Sequence, residues 1–181
     1  MIKDIKEALH QGIIEANNQY IKISSYGLVD APESFAHVVL AQHIREVTDR
    51  YVFIDTSNGK VREEAGITGR RPKTRNWRAD LTIFHKSKPN DAAVIVEVKR
   101  LATKAALKND AEKIRNFFKE ANKLSAGFIL AYTHDHETSK VDLENTFNRW
   151  HKQTNAISGE YKVFDPDKNG QYWGYCLLHI Q

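Results

Sequence analysis

Two strand-forming runs joined by a short turn constrain the fold of this chain more than any other feature. Arg78–His85 and Ala92–Lys99 are rich in residues that favour β-strands, such as valine, isoleucine and phenylalanine. Between them, Ser87–Asp91 contains the serine, proline, asparagine and aspartate that are typical of a turn. The sequence therefore predicts an antiparallel β-hairpin between about residues 78 and 99.

Three charged residues occupy corresponding positions in this hairpin. Asp80 and Glu97 are equidistant from the Lys88–Pro89 bond, so a hairpin that pairs them turns within the predicted turn. Because strand side chains alternate between faces at ~3.3 Å per residue, Glu97 and Lys99 share a face with their Cα atoms ~6.6 Å apart. Asp80 can lie opposite them. We therefore expect two carboxylates and an ammonium group to converge on one face of the hairpin.

Such a cluster suits phosphodiester hydrolysis. Mg²⁺ prefers oxygen ligands and is commonly held by one or two carboxylates, waters and substrate phosphates, and Mn²⁺ accepts similar ligands. A nearby lysine can orient the attacking water. The alternative is that Glu97 and Lys99 simply reach solvent at a strand end, since Asp4-Ile-Lys6 and Glu160-Tyr-Lys162 repeat the same spacing. The position of Glu97 after an apolar run favours the first interpretation, because burying unpaired charge is costly.

The remaining pattern predicts an α/β protein. Ile2, Ile5, Leu9 and Ile13 recur at helical spacing. Residues 57–76 lack a clear period and are interpreted as a mobile connection. The other predicted elements are helices at about 30–48, 109–124 and 143–150, and strands at 51–56, 126–132, 161–164 and 172–180.

From about residue 30 to 133 the chain resembles the PD-(D/E)xK nuclease superfamily. The resemblance depends on Asp80 and the Glu97-Val98-Lys99 tripeptide, within the order helix, three strands, helix, strand. It implies a restriction-endonuclease-like αβββαβ core, with a mixed central sheet flanked by helices, plus an extra N-terminal helix and C-terminal strands. It also implies that Asp80, Glu97 and the Val98 carbonyl bind the metal, and that Lys99 serves the attacking water. Ala79 replaces the proline of the family pattern.

The family often adds a glutamate from the preceding helix, and Glu33 matches that position. Ala36, Leu40 and Ile44 continue an apolar stripe from Glu33 along the predicted helix, which favours a site-facing carboxylate. The alternative is a capping box with Asp30 as the N-cap residue and Glu33 three residues later. The sequence leaves both roles open, and they are compatible.

A basic segment leads into Asp80. Arg70, Arg71, Lys73, Arg75 and Arg78 are five cations within nine residues, with no acidic residue among them. We expect them to contact nucleic-acid phosphates beside the site, although a solvated loop is the usual role of such a run.

Composition is consistent with a single domain over residues 1–181. The formal net charge of +4 and the pI near 9.1 mildly favour a polyanionic partner. The single cysteine, Cys176, excludes an internal disulfide, and no segment approaches membrane-spanning length, so a cytoplasmic location is expected.

Two other motifs are assigned structural roles. His134-Asp-His-Glu137 is interpreted as an exposed loop rather than a transition-metal site, because no third ligand is evident. Tyr172, Trp173 and Tyr175 are interpreted as sheet residues rather than a base-stacking platform.

The function predicted from the sequence is a Mg²⁺-dependent nuclease, with Mn²⁺ as a substitute and DNA favoured over RNA. Two alternatives stay open. One is a catalytically silent nucleic-acid-binding or complex-assembly module on the same fold. The other is a nuclease subunit that needs a partner, as a homodimer or with another protein.

Overall fold

The computed structural model describes residues 1–66, 77–86, 88–121, 123–135, 139–166 and 170–181. The helices in these ranges are α1 (Ile2–Ser24), α2 (Glu33–Thr48), α3 (Asn58–Glu64), α4 (Lys104–Glu120) and α5 (Lys140–Thr154), with a short 3-10 turn at Leu28–Asp30. The strands are β1 (Val52–Ser57), β2 (Arg78–His85), β3 (Lys88–Arg100), β4 (Ala126–Asp135), β5 (Ser158–Val163) and β6 (Tyr172–Ile180).

The six strands form one mixed sheet in the order β1-β2-β3-β4-β6-β5. β3 and β4 are parallel, and the other neighbouring pairs are antiparallel. A parallel pair needs a crossover rather than a tight turn, and α4 supplies it between β3 and β4. The predicted α/β class, with a mixed central sheet and flanking helices, is confirmed.

Helices cover both faces of the sheet, and each face has its own apolar core. α1 and α2 cover one face, where Leu9 and Leu40 are buried with Val96. α3, α4 and α5 cover the other face, where Ile114 is buried with Ile129 in what is called the second core below. Among the described residues, no helix is both long enough and apolar enough to cross a membrane.

The hairpin of β2 and β3 has the predicted register near the candidate site. Leu81 pairs with Val96 and Ile83 with Val94, so one further step brings Asp80 opposite Glu97. Towards the turn, between Ile83 and His85, the register shifts through an irregularity. The shift does not reach the end of the hairpin that carries the charged residues.

The prediction that residues 57–76 form an aperiodic connection is wrong for its first part. Residues 58–64 form α3, which begins where the Ser57 hydroxyl accepts a hydrogen bond from the Lys60 amide. Val61 and Ala65 anchor the helix in the second core. Residues 67–76 lie outside the described residues.

The second helix begins later than predicted, and the capping-box interpretation is wrong. Asp30 ends the 3-10 turn, and α2 starts at Glu33 with Pro32 as its N-cap residue, without a side-chain cap. Pro32, and not Asp30, occupies the N-cap position, and its ring carries no hydrogen-bond acceptor, so no side chain caps the helix. Glu33 is therefore available for another contact.

Candidate functional site

The structure brings Asp80, Glu97 and Lys99 together on the α4 face of the sheet. The Lys99 ammonium lies 3.3 Å from an Asp80 carboxylate oxygen and 3.5 Å from a Glu97 carboxylate oxygen. Strand alternation causes this convergence, because Ile95, on the same face of β3, is buried in the second core. The grouping expected from the hairpin register is present.

Asp80 is fixed by the neighbouring strand as well as by Lys99. The backbone amide of Val98 donates a 2.7 Å hydrogen bond to Asp80 Oδ2, the same oxygen that contacts Lys99. The Val98 side chain is fully buried in the opposite core, so β3 is held firmly at this point. Backbone and core packing therefore position the Asp80 carboxylate.

Glu97 is a buried carboxylate with an incomplete set of partners. Its side chain is only 2% exposed, and its Oε1 atom has no hydrogen-bond partner. Burial, together with the neighbouring Asp80 carboxylate, raises its pKa well above the usual range, although Lys99 opposes this. An unpartnered buried oxygen of this kind fits a cation ligand.

Lys99 is held in its charged form by its neighbours. Burial lowers its pKa, but Asp80, Glu97 and Asp110 outweigh that effect and raise the pKa above its usual value. At neutral pH the ammonium is therefore protonated. It can donate hydrogen bonds and offset negative charge, whereas it cannot accept a proton.

Asp110 completes the surroundings of Lys99, and the sequence analysis missed it. It lies on α4, is 3% exposed, and places one carboxylate oxygen 3.6 Å from Lys99 and the other 2.8 Å from Lys113. Leu107, Ala111 and Ile114 are buried on the same helix. A carboxylate beside an apolar stripe was the available indication, the same pattern that drew attention to Glu33.

Glu33 reaches the end of β3 from α2. Its Oε2 atom accepts a 2.9 Å hydrogen bond from the Arg100 backbone amide, one residue beyond Lys99. Its other oxygen lies 3.9 Å from Nε2 of His37, one helical turn along α2. The contact with Arg100 ties the start of α2 to the charged end of the hairpin.

His37 is a second residue that the sequence analysis missed. It is 9% exposed, and its buried Nε2 atom has no hydrogen-bond partner. Glu33, His37 and Asp80 each offer a ligand atom, and these atoms all lie within 4.8 Å of one another. The i, i+4 spacing of Glu33 and His37 on one helical face was the indication in the sequence. These three residues could hold a metal ion.

The predicted ligand set and this cluster share Asp80. Glu97 is not one of these three residues. It lies on β3, where its carboxylate contacts Lys99 and is close to Asp80. Asp80 thus lies between two sets of potential ligands, one on the hairpin and one on α2. The Val98 carbonyl, the third predicted ligand, belongs to the same strand segment.

Most of the predicted basic surface cannot be placed. Arg70, Arg71, Lys73 and Arg75 lie outside the described residues. Arg78 begins β2, with about half of its side chain exposed, and its guanidinium contacts both the carboxylate and the backbone carbonyl of Asp55 on β1. This ion pair directs Arg78 towards the sheet edge formed by β1.

Comparisons with known proteins provide no assignment. No model of a known protein family, no curated protein and no solved structure matches this chain. The geometry of the site is therefore the basis for any functional proposal.

Proposed function

We propose that this protein is a metal-dependent nuclease that hydrolyses phosphodiester bonds, with DNA favoured over RNA as its substrate. The observation that carries the proposal is the contact of Lys99 with both Asp80 and Glu97 at the end of a paired hairpin. The resemblance of these residues to the PD-(D/E)xK superfamily supports the same function. The element order from α2 to β4, apart from the short α3, is consistent with the core that this resemblance implies.

The residues present fit a divalent cation. Glu97 Oε1 and His37 Nε2 are buried without hydrogen-bond partners, and a cation would satisfy them. Asp80, Glu97 and the Val98 carbonyl would hold Mg²⁺, and Glu33 and His37 would extend the ligand set. Because an imidazole suits Mn²⁺ better than Mg²⁺, His37 favours efficient replacement by Mn²⁺. The bound ion would lower the pKa of a water and polarise the phosphate.

Within this proposal each charged residue has a separate role. Lys99 donates a hydrogen bond that orients the attacking water and offsets the negative charge developing at the phosphate. Asp80, fixed by the Val98 amide, keeps Lys99 in place. Asp110 contacts the ammonium from α4 and limits the directions in which Lys99 can move. Asp110 is thus a positioning residue.

The test is metal-stimulated cleavage by the purified chain. Plasmid, linear duplex, single-stranded DNA and RNA are incubated with Mg²⁺, Mn²⁺, Ca²⁺ or chelator. We expect cleavage with Mg²⁺ and Mn²⁺, little with Ca²⁺ and none with chelator. Asp80→Ala, Glu97→Ala and Lys99→Ala should each abolish cleavage and stay folded, since each removes a metal ligand or a charge rather than apolar core volume.

The matched control is Glu112→Ala, which removes an exposed carboxylate from α4. It should keep the wild-type rate. Near wild-type activity in a folded variant of Asp80, Glu97 or Lys99 would exclude that residue from the proposed role. Absence of cleavage on every substrate, with nucleic-acid binding retained, would favour the catalytically silent module or the subunit that needs a partner.

A further inference from the structure

A cavity of about 430 Å³ lies on the α1 face of the sheet, at the end where β3 and β4 finish and where the charged cluster also lies. Its volume falls within the range of small-molecule binding sites. The described residues around it come from the second half of α1, the segment that leads into the 3-10 turn, that turn, the end of β4, the connection between β5 and β6, and the start of β6. The side chains that matter for its chemistry are Asp30, His134, Asp165, Gln171 and Trp173.

The cavity lies on the face of the sheet covered by α1, whereas Lys99 points to the α4 face, and Arg100 connects the two at the end of β3. The Arg100 guanidinium donates a 3.0 Å hydrogen bond to the carbonyl of Val29, which lines the cavity, while the Arg100 amide binds Glu33. Arg100 pairs with Tyr132 on β4, and His134 follows two residues later. By strand geometry, the Cα atoms of Lys99 and His134 are separated by ~10 Å along the strands and ~5 Å across them. Since Lys99 and His134 belong to opposite faces of the sheet, a substrate strand that reaches both passes around the end of β3 and β4.

The lining is unsuited to a phosphate group. None of the described residues around the cavity is a lysine or an arginine, whereas two exposed aspartates, Asp30 and Asp165, are among them. Carboxylates repel anions and accept hydrogen bonds from amino groups. The chemistry therefore favours a neutral ligand that carries hydrogen-bond donors.

An aromatic wall completes the cavity. Trp173 lines it, and the indole is held by Phe164, whose ring is stacked on it at 4.3 Å between centroids and 4° between planes. A rigid indole offers a planar apolar surface, and aromatic stacking binds nucleobases of every sequence. The exocyclic amino group of cytosine donates to aspartate or glutamate in protein–DNA contacts. An aromatic ring beside carboxylates thus matches an amino-bearing base.

We propose that this cavity binds one unpaired nucleobase of the substrate strand, stacked against Trp173 and donating its exocyclic amino group to Asp30 or Asp165. The inference rests on the proposed nuclease function and extends it to a substrate class. A base inside the cavity is not paired with a second strand. The preferred substrate is therefore single-stranded nucleic acid, or a duplex with an unpaired nucleotide next to the cleaved bond, and adenine, cytosine and guanine are preferred over thymine and uracil.

The test measures base binding separately from cleavage. The intrinsic fluorescence of the full chain is titrated in chelator with adenosine, cytidine, guanosine, uridine and ribose 5-phosphate. Trp77 and Trp150 are buried, whereas Trp173 is half-buried, so quenching by a base reports mainly on Trp173. We expect saturable quenching by the three amino-bearing nucleosides, much weaker quenching by uridine and none by ribose 5-phosphate.

Variants and a competing strand identify the contacts and the source of the base. Trp173→Phe should abolish the quenching. The double change Asp30→Asn and Asp165→Asn should weaken nucleoside affinity severalfold, because a neutral amide oxygen accepts a weaker hydrogen bond than a carboxylate. Asp49→Asn, an exposed carboxylate at the end of α2, is the matched control and should leave affinity unchanged. A short single-stranded oligonucleotide should displace the nucleoside, whereas its abasic counterpart should not.

Failures of the two proposals are distinguishable. Nucleoside binding without any cleavage would remove the nuclease function and leave the base site standing. Metal-dependent cleavage without nucleoside quenching, or quenching equally strong with ribose 5-phosphate, would overturn the base site alone. Equal competition by the abasic strand would also overturn it, because the strand would then bind through its backbone.

Discussion

Glu97 illustrates, at the scale of one residue, how a functional site can oppose folding stability. Its carboxyl group is buried beside Asp80, and its pKa is raised mainly by burial. Since the folded protein binds this proton more tightly than the unfolded chain, the stabilising effect is complete below the unfolded value of about 4.5. It is lost as the pH rises through the folded pKa. Without a cation, Glu97 therefore makes the fold less stable at neutral pH than in acid.

We predict that Glu97→Gln stabilises the metal-free protein at neutral pH while abolishing cleavage. The neutral amide avoids an unfavourable buried charge next to Asp80. A gain of about 1 kcal/mol corresponds to a rise in Tm of about 2 to 4 °C for a domain of this size. Thermal unfolding in chelator across a pH series measures the effect, and the difference between variant and wild type should vanish below about pH 4.5.

Mg²⁺ and a surface variant provide the controls for this prediction. Adding Mg²⁺ should raise the Tm of the wild type more than that of Glu97→Gln, because a ligand that binds only the folded state stabilises it. Glu112→Gln, on the exposed side of α4, should leave the Tm unchanged at every pH. A destabilised Glu97→Gln variant in chelator would contradict the electrostatic interpretation.

The residues that the sequence analysis missed were those whose role depends on tertiary packing. Asp110 and His37 belong to helices that approach the hairpin from opposite faces of the sheet. Local patterns indicate which side of a helix is buried, but not which strand end it faces. Asp80, Glu97 and Lys99 were predictable because all three belong to one hairpin, whose turn and alternation determine their positions.

At the scale of elements, the sequence predicted the helix that has a strong hydrophobic period and missed the helix whose formation depends on tertiary contacts. α1 contains a long apolar stripe; of its four predicted positions, Ile5, Leu9 and Ile13 are fully buried and Ile2 is partly buried. α3 is only seven residues long, and its buried apolar residue is Val61. One such residue gives no helical period that the sequence could show. A short helix depends on packing and on the Ser57 cap, and packing cannot be seen in the sequence.

The start of α2 shows the same limit at a helix end. Asp30 and Glu33 have the spacing of a capping box, yet Pro32 is the N-cap residue and Glu33 contacts the Arg100 amide on β3. A contact between distant parts of the chain thus replaced the local one. Of the two roles that the sequence left open for Glu33, the capping box is wrong, and the role at the site stays a prediction.

We predict that Glu33→Gln reduces metal-dependent cleavage about 10- to 100-fold and changes the Tm little. The glutamine oxygen can still accept the Arg100 hydrogen bond, so the contact between α2 and β3 is retained while the negative charge near Asp80 and His37 is lost. Substitutions around metal ligands typically have effects of this size. Cleavage rates over a Mn²⁺ concentration series, with thermal unfolding in parallel, measure both quantities.

Glu46→Gln is the matched control for Glu33→Gln, since Glu46 is an exposed glutamate on the same helix. It should preserve both cleavage and stability. If Glu33→Gln lowered the Tm without changing the cleavage rate, Glu33 would have only a structural role at the junction of α2 and β3.

The charges at the site have a consequence for the whole molecule. Glu33, Asp80, Glu97 and Asp110 contribute four carboxylates, whereas Lys99 and Lys113 contribute two ammonium groups. With the carboxylates ionised, this arrangement repels a polyanion before a cation is bound. The net charge of the whole chain is nevertheless +4, so compensating positive charge lies elsewhere. The basic segment before β2 is the densest source of it.

We therefore predict that neutralising Arg70, Arg71, Lys73 and Arg75 together weakens duplex DNA binding without changing sequence preference, because phosphate contacts position a substrate without identifying bases. The slope of log affinity against log salt is negative, and each lost contact should reduce its magnitude by ~0.9, so four lost contacts reduce the magnitude by roughly 3 to 4. Binding is measured at several ionic strengths with Ca²⁺ to suppress cleavage. The control neutralises four other cations, Lys3, Lys119, Arg149 and Lys152, on α1, α4 and α5. An unaltered slope in the first variant, or an equal change in the control, would mean that the segment is a solvated loop and that the substrate is held by another surface.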